Sequence, residues 1–284
     1  MPILFVEHLT TIDCALFDPR RGLVGATWIV DLQMSGELDE QGMVLDFGRV
    51  KSEVRQAIES RVDHCLLVPE QAPEISIRQE SGLLEVRMES DVGPIRHRGP
   101  GQSCSLIEAP RIDRASVTRA CLGAAREVLP DNVGELELNL RCEQGEGPFF
   151  RYCHGLRRHA GNCQRIAHGH RSRLEIWIGG GRDPELEREW AERWRDIYLG
   201  TREHLLQRFD AGGTECLRFG YRALQGEFLL ELPAARCYLL DGASTIERIA
   251  LHLAGECARR FPGDAIQARV WEGVNKGAIA CSGV

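Results

Sequence analysis

The feature that most constrains the fold is an internal repetition, because the same order of predicted elements occurs twice along the 284 residues. In each half, apolar–polar alternation predicts a pair of strands, and a helix, two strands, a second helix and a closing strand follow. A chain of this length is also too long for one typical domain. We therefore expect two similar units, residues 1–145 and 146–284, with the boundary in the polar segment 143–147.

The predicted strands and helices can be given as ranges. Strands of the first half are expected at 3–18, 26–38, 75–78, 83–88 and 134–142, and helices at 49–61 and 115–128. Strands of the second half are expected at 149–156, 173–180, 216–221, 227–232 and 266–271. An antiparallel sheet with two helices on one face is the α+β arrangement that this order favours.

The two helices of the second half are predicted from their first residues. Asp183 followed by Pro184 is a favourable cap and first-turn pair, and the buried stripe of this helix is expected to run as far as Ile197. The last helix is expected to begin with a capping box, Ser244-x-x-Glu247.

Composition and charge narrow the class of protein. A hydrophobic fraction of 43% and a charged fraction of 27% are typical of globular domains. There is no run of eighteen apolar residues, and the N-terminus lacks a basic region and meets Glu7, so we expect neither a membrane span nor a secretory signal but a cytoplasmic protein. The net charge of −7 argues against nucleic acid as the main partner. The eleven cysteines show no repeated C-x-x-C spacing and are expected mostly as small buried side chains.

Three histidines have the spacing of a metal site. His168 and His170 are two residues apart at the start of an alternating strand, so both side chains face the same way. His154 ends the preceding strand and can reach the same point across a hairpin. Three neutral imidazoles with one open position are typical of catalytic zinc. An isolated H-x-H pair would be weak evidence, but the third histidine and the nearby Cys163 strengthen the prediction.

Cys163 has three candidate roles on the sequence alone. It could be a fourth zinc ligand, which would close the site and make it structural. It could be an inert buried thiol, or a reactive thiolate held beside the metal. An inert thiol is the commonest case, but it does not explain the histidines around it.

Several segments resemble one known family. CHGLRRHAGNCQRIAHGH (153–170) is similar to the His…Cys…His-Gly-His segment of the 6-pyruvoyl/6-carboxytetrahydropterin synthase family. GELDEQGMVLDFGRVKSEV (36–54) and VDHCLLV (62–68) resemble two further motifs of that family. STIERIA (244–250) and VWEG (270–273) are weaker matches. The resemblance implies that each unit has the T-fold, or tunnelling fold.

The resemblance also implies roles for individual residues. It implies His154, His168 and His170 as zinc ligands and Cys163 as the catalytic thiol. It implies Asp63 and His64 as an acid–base pair, and Glu272 as the anchor for the guanidine-like edge of a pterin, since a carboxylate can accept two N–H bonds. Simpler explanations stay open for two of these assignments. His64 follows a helix end, where a histidine complements the macrodipole, and Glu272 could be an exposed strand residue.

The family motifs are divided between the two halves. A family chain carries them all in one unit, whereas here the 36–54 and 62–68 motifs lie in the first half and the histidines and Glu272 in the second. Where the first half should carry His-Gly-His, it reads LVGAT at 23–27. We interpret the chain as a tandem duplication in which each copy kept half of the site. The complete site is then expected where an N-terminal unit meets a C-terminal unit, within one chain or between chains of a homo-oligomer, since family members form rings.

The function implied by the resemblance is that of a zinc-dependent, pterin-converting lyase. Its substrate would be 7,8-dihydroneopterin triphosphate and its product 6-carboxy-5,6,7,8-tetrahydropterin, on the route to queuosine and related 7-deazapurines. Two alternatives are open: a 6-pyruvoyl-tetrahydropterin synthase, and a catalytically diverged zinc-containing protein that binds a pterin or purine.

Overall fold

The structure is a computed structural model and describes residues 1–283. The first half begins with a long hairpin and contains eight strands: β1 (Ile3–Asp18), β2 (Gly22–Gly36), β3 (Leu66–Pro69), β4 (Ile75–Glu80), β5 (Leu83–Met88), β6 (Ile95–Pro100), β7 (Cys104–Ile107) and β8 (Val133–Arg141). Its helices are α1 (Phe47–Arg49), which continues through a π-helical turn at Val50–Val54 into α2 (Arg55–Val62), and α3 (Arg114–Arg126).

The second half repeats this order with short additions. Its strands are β9 (Phe149–His154), β10 (His168–Ile178), β11 (Gly181–Arg182), β12 (Ile197–Thr201), β13 (Leu205–Ala211), β14 (Thr214–Ala223), β15 (Gly226–Pro233), β16 (Cys237–Leu240), β17 (Ile266–Trp271) and β18 (Gly277–Ser282). Its helices are α4 (Pro184–Arg193) and α5 (Ile246–Arg260). Within residues 1–283, no helix is both long and apolar enough to cross a membrane.

Each half builds its own sheet, with helices packed on one face. The first sheet has the order β7-β3-β1-β2-β8, and the second has the order β16-β12-β9-β10-β17-β18, with β11 paired to β10. The α+β class is confirmed, but the sheets are mixed and not antiparallel throughout, because β1, β3 and β7 run parallel to one another, as do β9, β12 and β16. The parallel strands arise because the chain returns to the sheet through a helix or through an excursion of three strands.

The excursions from the two halves combine in a third sheet. Its order is β13-β14-β15-β6-β5-β4, with three strands from each half, and β15 pairs with β6 across the middle. The register places Leu230 opposite His97, so the two halves meet there in a nearly twofold arrangement. The chain is therefore two α+β units joined by a shared sheet.

Three hydrophobic clusters stabilise this arrangement. One lies between the first sheet and its helices, and another lies between the second sheet and α4 and α5. The third contains side chains from both halves, among them Phe17, Met88, Tyr198 and Phe219. Burial of apolar area drives each of these contacts, so the third cluster fixes the position of one half against the other.

The structure corrects several predicted elements. The prediction had no place for β3, β6, β7, β12, β13, β16 and β18, most of which are too short to show a periodic pattern. Ile197 begins β12 and does not belong to the helix, because α4 ends at Arg193 with Trp194 as its C-cap. The capping box at Ser244 is also wrong. Thr245 is the N-cap of α5 and makes no side-chain cap bond.

Candidate functional site

The three histidines converge because of the β9–β10 hairpin. His168 lies directly opposite His154 in the register, and His170 follows two residues later on the same face of β10. Their ligand atoms lie within 4.8 Å of one another, and the Nε2 atoms of His154 and His170 are 3.2 Å apart. All three side chains are buried. The local strand pairing therefore produces the cluster that the sequence spacing predicted.

The Nδ1 atom of each histidine faces an acceptor on the outer side of the cluster. His154 Nδ1 donates to the Ser244 carbonyl at 2.9 Å, and His168 Nδ1 donates to the Arg165 carbonyl at 3.0 Å. His170 Nδ1 lies 3.1 Å from an oxygen of the Asp13 carboxylate. The two hydrogen bonds place the protons of His154 and His168 on Nδ1, whereas His170 Nδ1 lies close to the carboxylate without an aligned hydrogen bond.

The donor set fits a bound metal ion. Nε2 of His168 is buried and has no hydrogen-bond partner among residues 1–283, which an ion in the cluster would explain. Burial lowers the pKa of both His154 and His168 well below its ordinary value, so both imidazoles are neutral, as metal ligands must be. Three imidazole nitrogens that converge in this way suit zinc with one position left open.

Cys163 lies beside this cluster in the loop between β9 and β10. It occupies a 3₁₀ turn, Asn162–Gln164, and its carbonyl accepts a hydrogen bond from the Leu156 amide at 2.8 Å. Its sulfur groups with the ligand atoms of His64 and His168, all within 4.8 Å of one another. His168 is thus common to two groups of ligand atoms, one with the other histidines and one with Cys163 and His64. The sulfur lies on the His64 side of His168, where a thiol can exchange protons with the His64 ring.

The Asp63–His64 pair enters the site from the first half. Asp63 is the C-cap of α2, and His64 then adopts a positive φ of 50°, which turns its ring away from the helix and into the site. Nδ1 of His64 lies 2.5 Å from Oδ2 of Asp63. Burial alone would lower the pKa of His64, but contacts with Asp63 and Cys163 raise it to about 10. His64 is therefore held in its protonated, cationic form at neutral pH.

The two parts of the divided site meet inside one chain. The ring of His64 lies 5.2 Å from that of His168 and 6.3 Å from that of His170, measured between centroids. The first half supplies the acid–base pair, and the second half supplies the thiol and the histidines. No second chain is needed to bring these groups together.

Glu272 also lies at the cluster, just after β17. Its Oε1 is 4.0 Å from Nε2 of His170, and its Oε2 is 3.8 Å from Nζ of Lys276. The side chain is 22% exposed, so the carboxylate is accessible from one side. Lys276 also lies 3.6 Å from Asp13. The edge next to the histidines is therefore partly open and carries the Glu272 carboxylate beside the Lys276 ammonium group.

The near-twofold arrangement locates the equivalent position in the other half. The segments Pro100–Cys104 and Pro233–Cys237 match in shape, and Cys104 and Cys237 pair with Leu66 and Tyr198 in the same way. Following the strand registers from these pairs gives the counterparts of the three histidines as Leu16, Val24 and Ala26, all buried and apolar. This half thus offers no nitrogen ligands at the equivalent positions.

The counterpart of His64 in the second half is Asp196. Both residues have a positive φ, 50° and 52°, and both lie just before a short strand, β3 or β12, that is second in the order of its sheet. Asp196 is engaged by Arg21, whose Nε donates to its carboxylate at 2.8 Å. Among residues 1–283, an ion pair thus occupies the position in the second half that is equivalent to that of His64.

Sequence reasoning missed the residues that support the site. Asp13 lies on β1 of the other half, and the Arg165 and Ser244 acceptors are main-chain carbonyls that carry no residue signature. Lys276 lies in the turn between β17 and β18, and β18 was not expected. Only Asp13 had a possible signal, since it is a carboxylate within an otherwise apolar, buried stretch of strand.

The chain is similar to known proteins of one family. A family model described as 6-pyruvoyl tetrahydropterin synthase matches residues 10–80 and 148–281. Solved structures of 6-pyruvoyl tetrahydropterin synthase from Plasmodium vivax and Plasmodium falciparum match at 21% and 17% identity. Each match covers 49% of this chain and 90% of the other, with a TM-score of 0.40. No curated protein sequence matches significantly. The family model spans well over half of the chain, and the chain therefore belongs to the 6-pyruvoyl tetrahydropterin synthase family.

Proposed function

We propose that this protein is a zinc-dependent lyase that converts 7,8-dihydroneopterin triphosphate into 6-carboxy-5,6,7,8-tetrahydropterin, on the route to queuosine and related 7-deazapurines. The observation that carries the proposal is the convergence of Cys163, His64 and the three histidines within one chain. Family membership supports pterin chemistry of the lyase type. We further propose that the enzyme acts in the cytoplasm as a homo-oligomer, as the family resemblance implies.

The proposed chemistry assigns one task to each group. His154, His168 and His170 would hold a zinc ion, which supplies Lewis-acid polarisation of hydroxyls on the substrate side chain. Cys163 would take a proton from the polarised carbon, and the cationic His64 would donate one. The overall conversion would take up one water and release triphosphate and, by cleavage of a side-chain carbon–carbon bond, the remaining two carbons as an aldehyde. Asp63 stabilises the charged form of His64 through the 2.5 Å contact with Nδ1. These roles are the ones that the family resemblance implies, and the closeness of Cys163, His64 and His168 supports them.

Glu272 is proposed to bind the pterin ring. Its carboxylate is partly exposed beside the histidines, and it can accept two N–H bonds from the ring edge as a bidentate pair. This would place the ring on the open side of the cluster and direct its side chain towards the metal position. The side-chain hydroxyls would then face Cys163 and His64.

The test is a direct assay of turnover. Zinc-loaded protein is incubated with 7,8-dihydroneopterin triphosphate, and the products are followed by mass spectrometry. We expect a 6-carboxy product in the wild type and none above background in Cys163→Ala. Absence of turnover, or turnover that Cys163→Ala leaves unchanged, would reject the proposal. A 6-pyruvoyl product would instead assign the sister activity to the same site.

The second candidate is a zinc-containing pterin- or purine-binding protein without chemistry. It is favoured by the spacing of the loop, where one residue more separates Cys163 from His168 than in some family members. The thiol nevertheless lies close to His64 and His168, which supports the catalytic alternative. Binding of substrate without conversion, measured on the zinc-loaded wild type, would favour the second candidate.

A further inference from the structure

Asp13 contacts both parts of the divided site at once. It lies on β1 of the first half, and its side chain is buried. One carboxylate oxygen lies 3.1 Å from Nδ1 of His170 and accepts the Thr27 hydroxyl at 2.5 Å. The main chain of Asp13 is bound on its other side to the acid–base pair. A single residue therefore touches the histidine cluster and the proton-transfer group.

The main-chain contacts of Asp13 hold the acid–base pair in place. Its amide donates to Oδ1 of Asp63 at 2.8 Å, and its carbonyl accepts the His64 amide at 2.7 Å. The same two residues are joined to each other through the ring of His64. Because both bonds use backbone atoms of Asp13, they do not depend on its side chain.

The side-chain contact distinguishes His170 from the other two histidines. His154 and His168 donate to neutral carbonyls from their own half, whereas His170 faces a carboxylate from the other half. A carboxylate on Nδ1 fixes the ring orientation and makes Nε2 a stronger donor to a metal. The Thr27 hydroxyl in turn fixes the carboxylate, and its oxygen also accepts the Arg171 amide at 2.9 Å.

We propose that Asp13 is a positioning residue that links metal binding in the second half to acid–base chemistry in the first. Its carboxylate orients His170 for the metal, and its backbone sets the distance between that metal position and His64. The inference rests on the proposed metal site, but its test does not require turnover. Asp13 does not touch the reacting atoms.

The experiment measures zinc affinity by competition with a chelator of known affinity, in wild type, Asp13→Ala, Asp13→Asn and the control Asp31→Asn. Asp31 lies on the neighbouring strand and pairs with Arg141 at the surface, so its substitution removes a carboxylate without touching the cluster. We expect Asp13→Ala to weaken zinc binding about 10–100-fold. Asp13→Asn should weaken zinc binding less than Asp13→Ala does, because an amide oxygen can still accept the proton on Nδ1 of His170. The control should stay within twofold of wild type.

A double-mutant cycle separates positioning from a general loss of structure. Once His170→Ala has removed the imidazole ring, adding Asp13→Ala should reduce the affinity for zinc little further. If the two substitutions acted independently, their losses of zinc affinity would instead be additive. The cobalt-substituted protein offers a second readout, since its visible spectrum should change in Asp13→Ala as the ligand geometry changes. If Asp13→Ala does not fold, Thr27→Val tests the same link with the carboxylate retained and should weaken zinc binding several-fold.

The possible results distinguish failure of this inference from failure of the proposed function. Zinc affinity within twofold of wild type in Asp13→Ala, or additive losses in the cycle, would overturn the inference. If Asp13→Ala does not fold, unchanged affinity in Thr27→Val would overturn it. Turnover does not enter these measurements, so a protein that binds zinc through Asp13-oriented His170 but converts no pterin would reject the proposed function and leave the inference standing. A wild type that binds no metal would reject both.

Discussion

The rings of His64 and His168 lie 5.2 Å apart, centroid to centroid, although the two residues belong to different halves of the chain. The second half alone has the histidines and the thiol, and the first half alone has the acid–base pair. Their meeting within one chain follows from the near-twofold arrangement of the two halves about the β6–β15 pairing. The residues of the divided motifs thus lie together within one chain.

Mixing two inactive variants tests this intrachain assembly. Cys163→Ala and His64→Ala should each lose turnover, His64→Ala by about 10²–10⁴-fold if it serves as a general acid. When the two variants are co-expressed with different tags and purified as mixed oligomers, we expect no recovery, because each chain lacks one component of its own site. Recovery of activity in the mixed oligomers would show that sites form between chains.

The metal content of the protein tests the expectation that the first half has no second metal site at the positions equivalent to the three histidines. We expect about one zinc per chain by elemental analysis, since Leu16, Val24 and Ala26 replace the ligands in the first half. His168→Ala should reduce this content to near zero, and His159→Ala, at an exposed position in the same loop, should leave it unchanged. Two ions per chain would contradict the register-based equivalence.

From the sequence, the convergence of the histidines could be predicted more accurately than the strand topology. His154, His168 and His170 could be predicted because strand periodicity places them on one face, and that geometry is local. The position of His64 beside them could not be predicted, because it depends on the pairing of β15 with β6, which lies far away in the sequence and was not expected as a strand. Asp13 was not predicted as a residue of the site for the same reason, since the residue that it contacts, His170, lies in the other half.

Errors in the elements also have physical causes. Ile197 fits the helical stripe of α4 by spacing, but the helix ends at Arg193, and the positive φ of 52° at Asp196 turns the chain into β12. At Ser244, the capping pattern competes with His154, whose Nδ1 lies 3.2 Å from the Ser244 hydroxyl. In both places, tertiary contacts override a local pattern.

Gly25 is expected to be essential for the contact between the halves. A Cβ built on Gly25 would lie 2.2 Å from the carbonyl oxygen of Tyr152 and 2.5 Å from that of His170, and Gly169 packs against Gly25 with similar closeness. Because these neighbours are backbone atoms, they cannot move aside cheaply. We expect Gly25→Ala to lower the free energy of unfolding by more than about 2 kcal/mol, in the range of severe packing defects.

The matched control for Gly25 is Gly123, which lies within α3 with open space around its Cα. Gly123→Ala should raise the free energy of unfolding by about 0.5–1 kcal/mol, because alanine loses less backbone entropy in a helix. The two glycine substitutions should therefore have opposite signs in urea unfolding. A Gly25→Ala protein as stable as wild type would mean that the hairpins do not approach as closely as described.

Because His97 is buried, we expect the free energy of unfolding to depend on pH in a specific way. It is fully buried in β6 at the junction of the halves, its Nε2 has no partner among the described residues, and burial lowers its pKa to about 4. Above pH 6.5 the residue is neutral in both the folded and unfolded states and contributes no pH dependence. As the pH falls from 6.5 towards 4, the unfolded state takes up a proton that the folded state does not, so stability falls. At pH 5 the loss from this residue amounts to about 2 kcal/mol.

Replacing His97 with leucine should remove that part of the pH dependence. We expect the drop in unfolding free energy between pH 7 and pH 5 to be smaller in His97→Leu than in wild type by about 2 kcal/mol, measured by urea denaturation of the metal-free protein. Working without metal avoids proton release by the zinc ligands, and the contributions of His154 and His168 then cancel between the two proteins. His159→Leu, at an exposed position, should keep the wild-type drop. An unchanged drop in His97→Leu would show that the junction between β6 and β15 admits a charged imidazole, and hence that it is less tightly closed than its burial indicates.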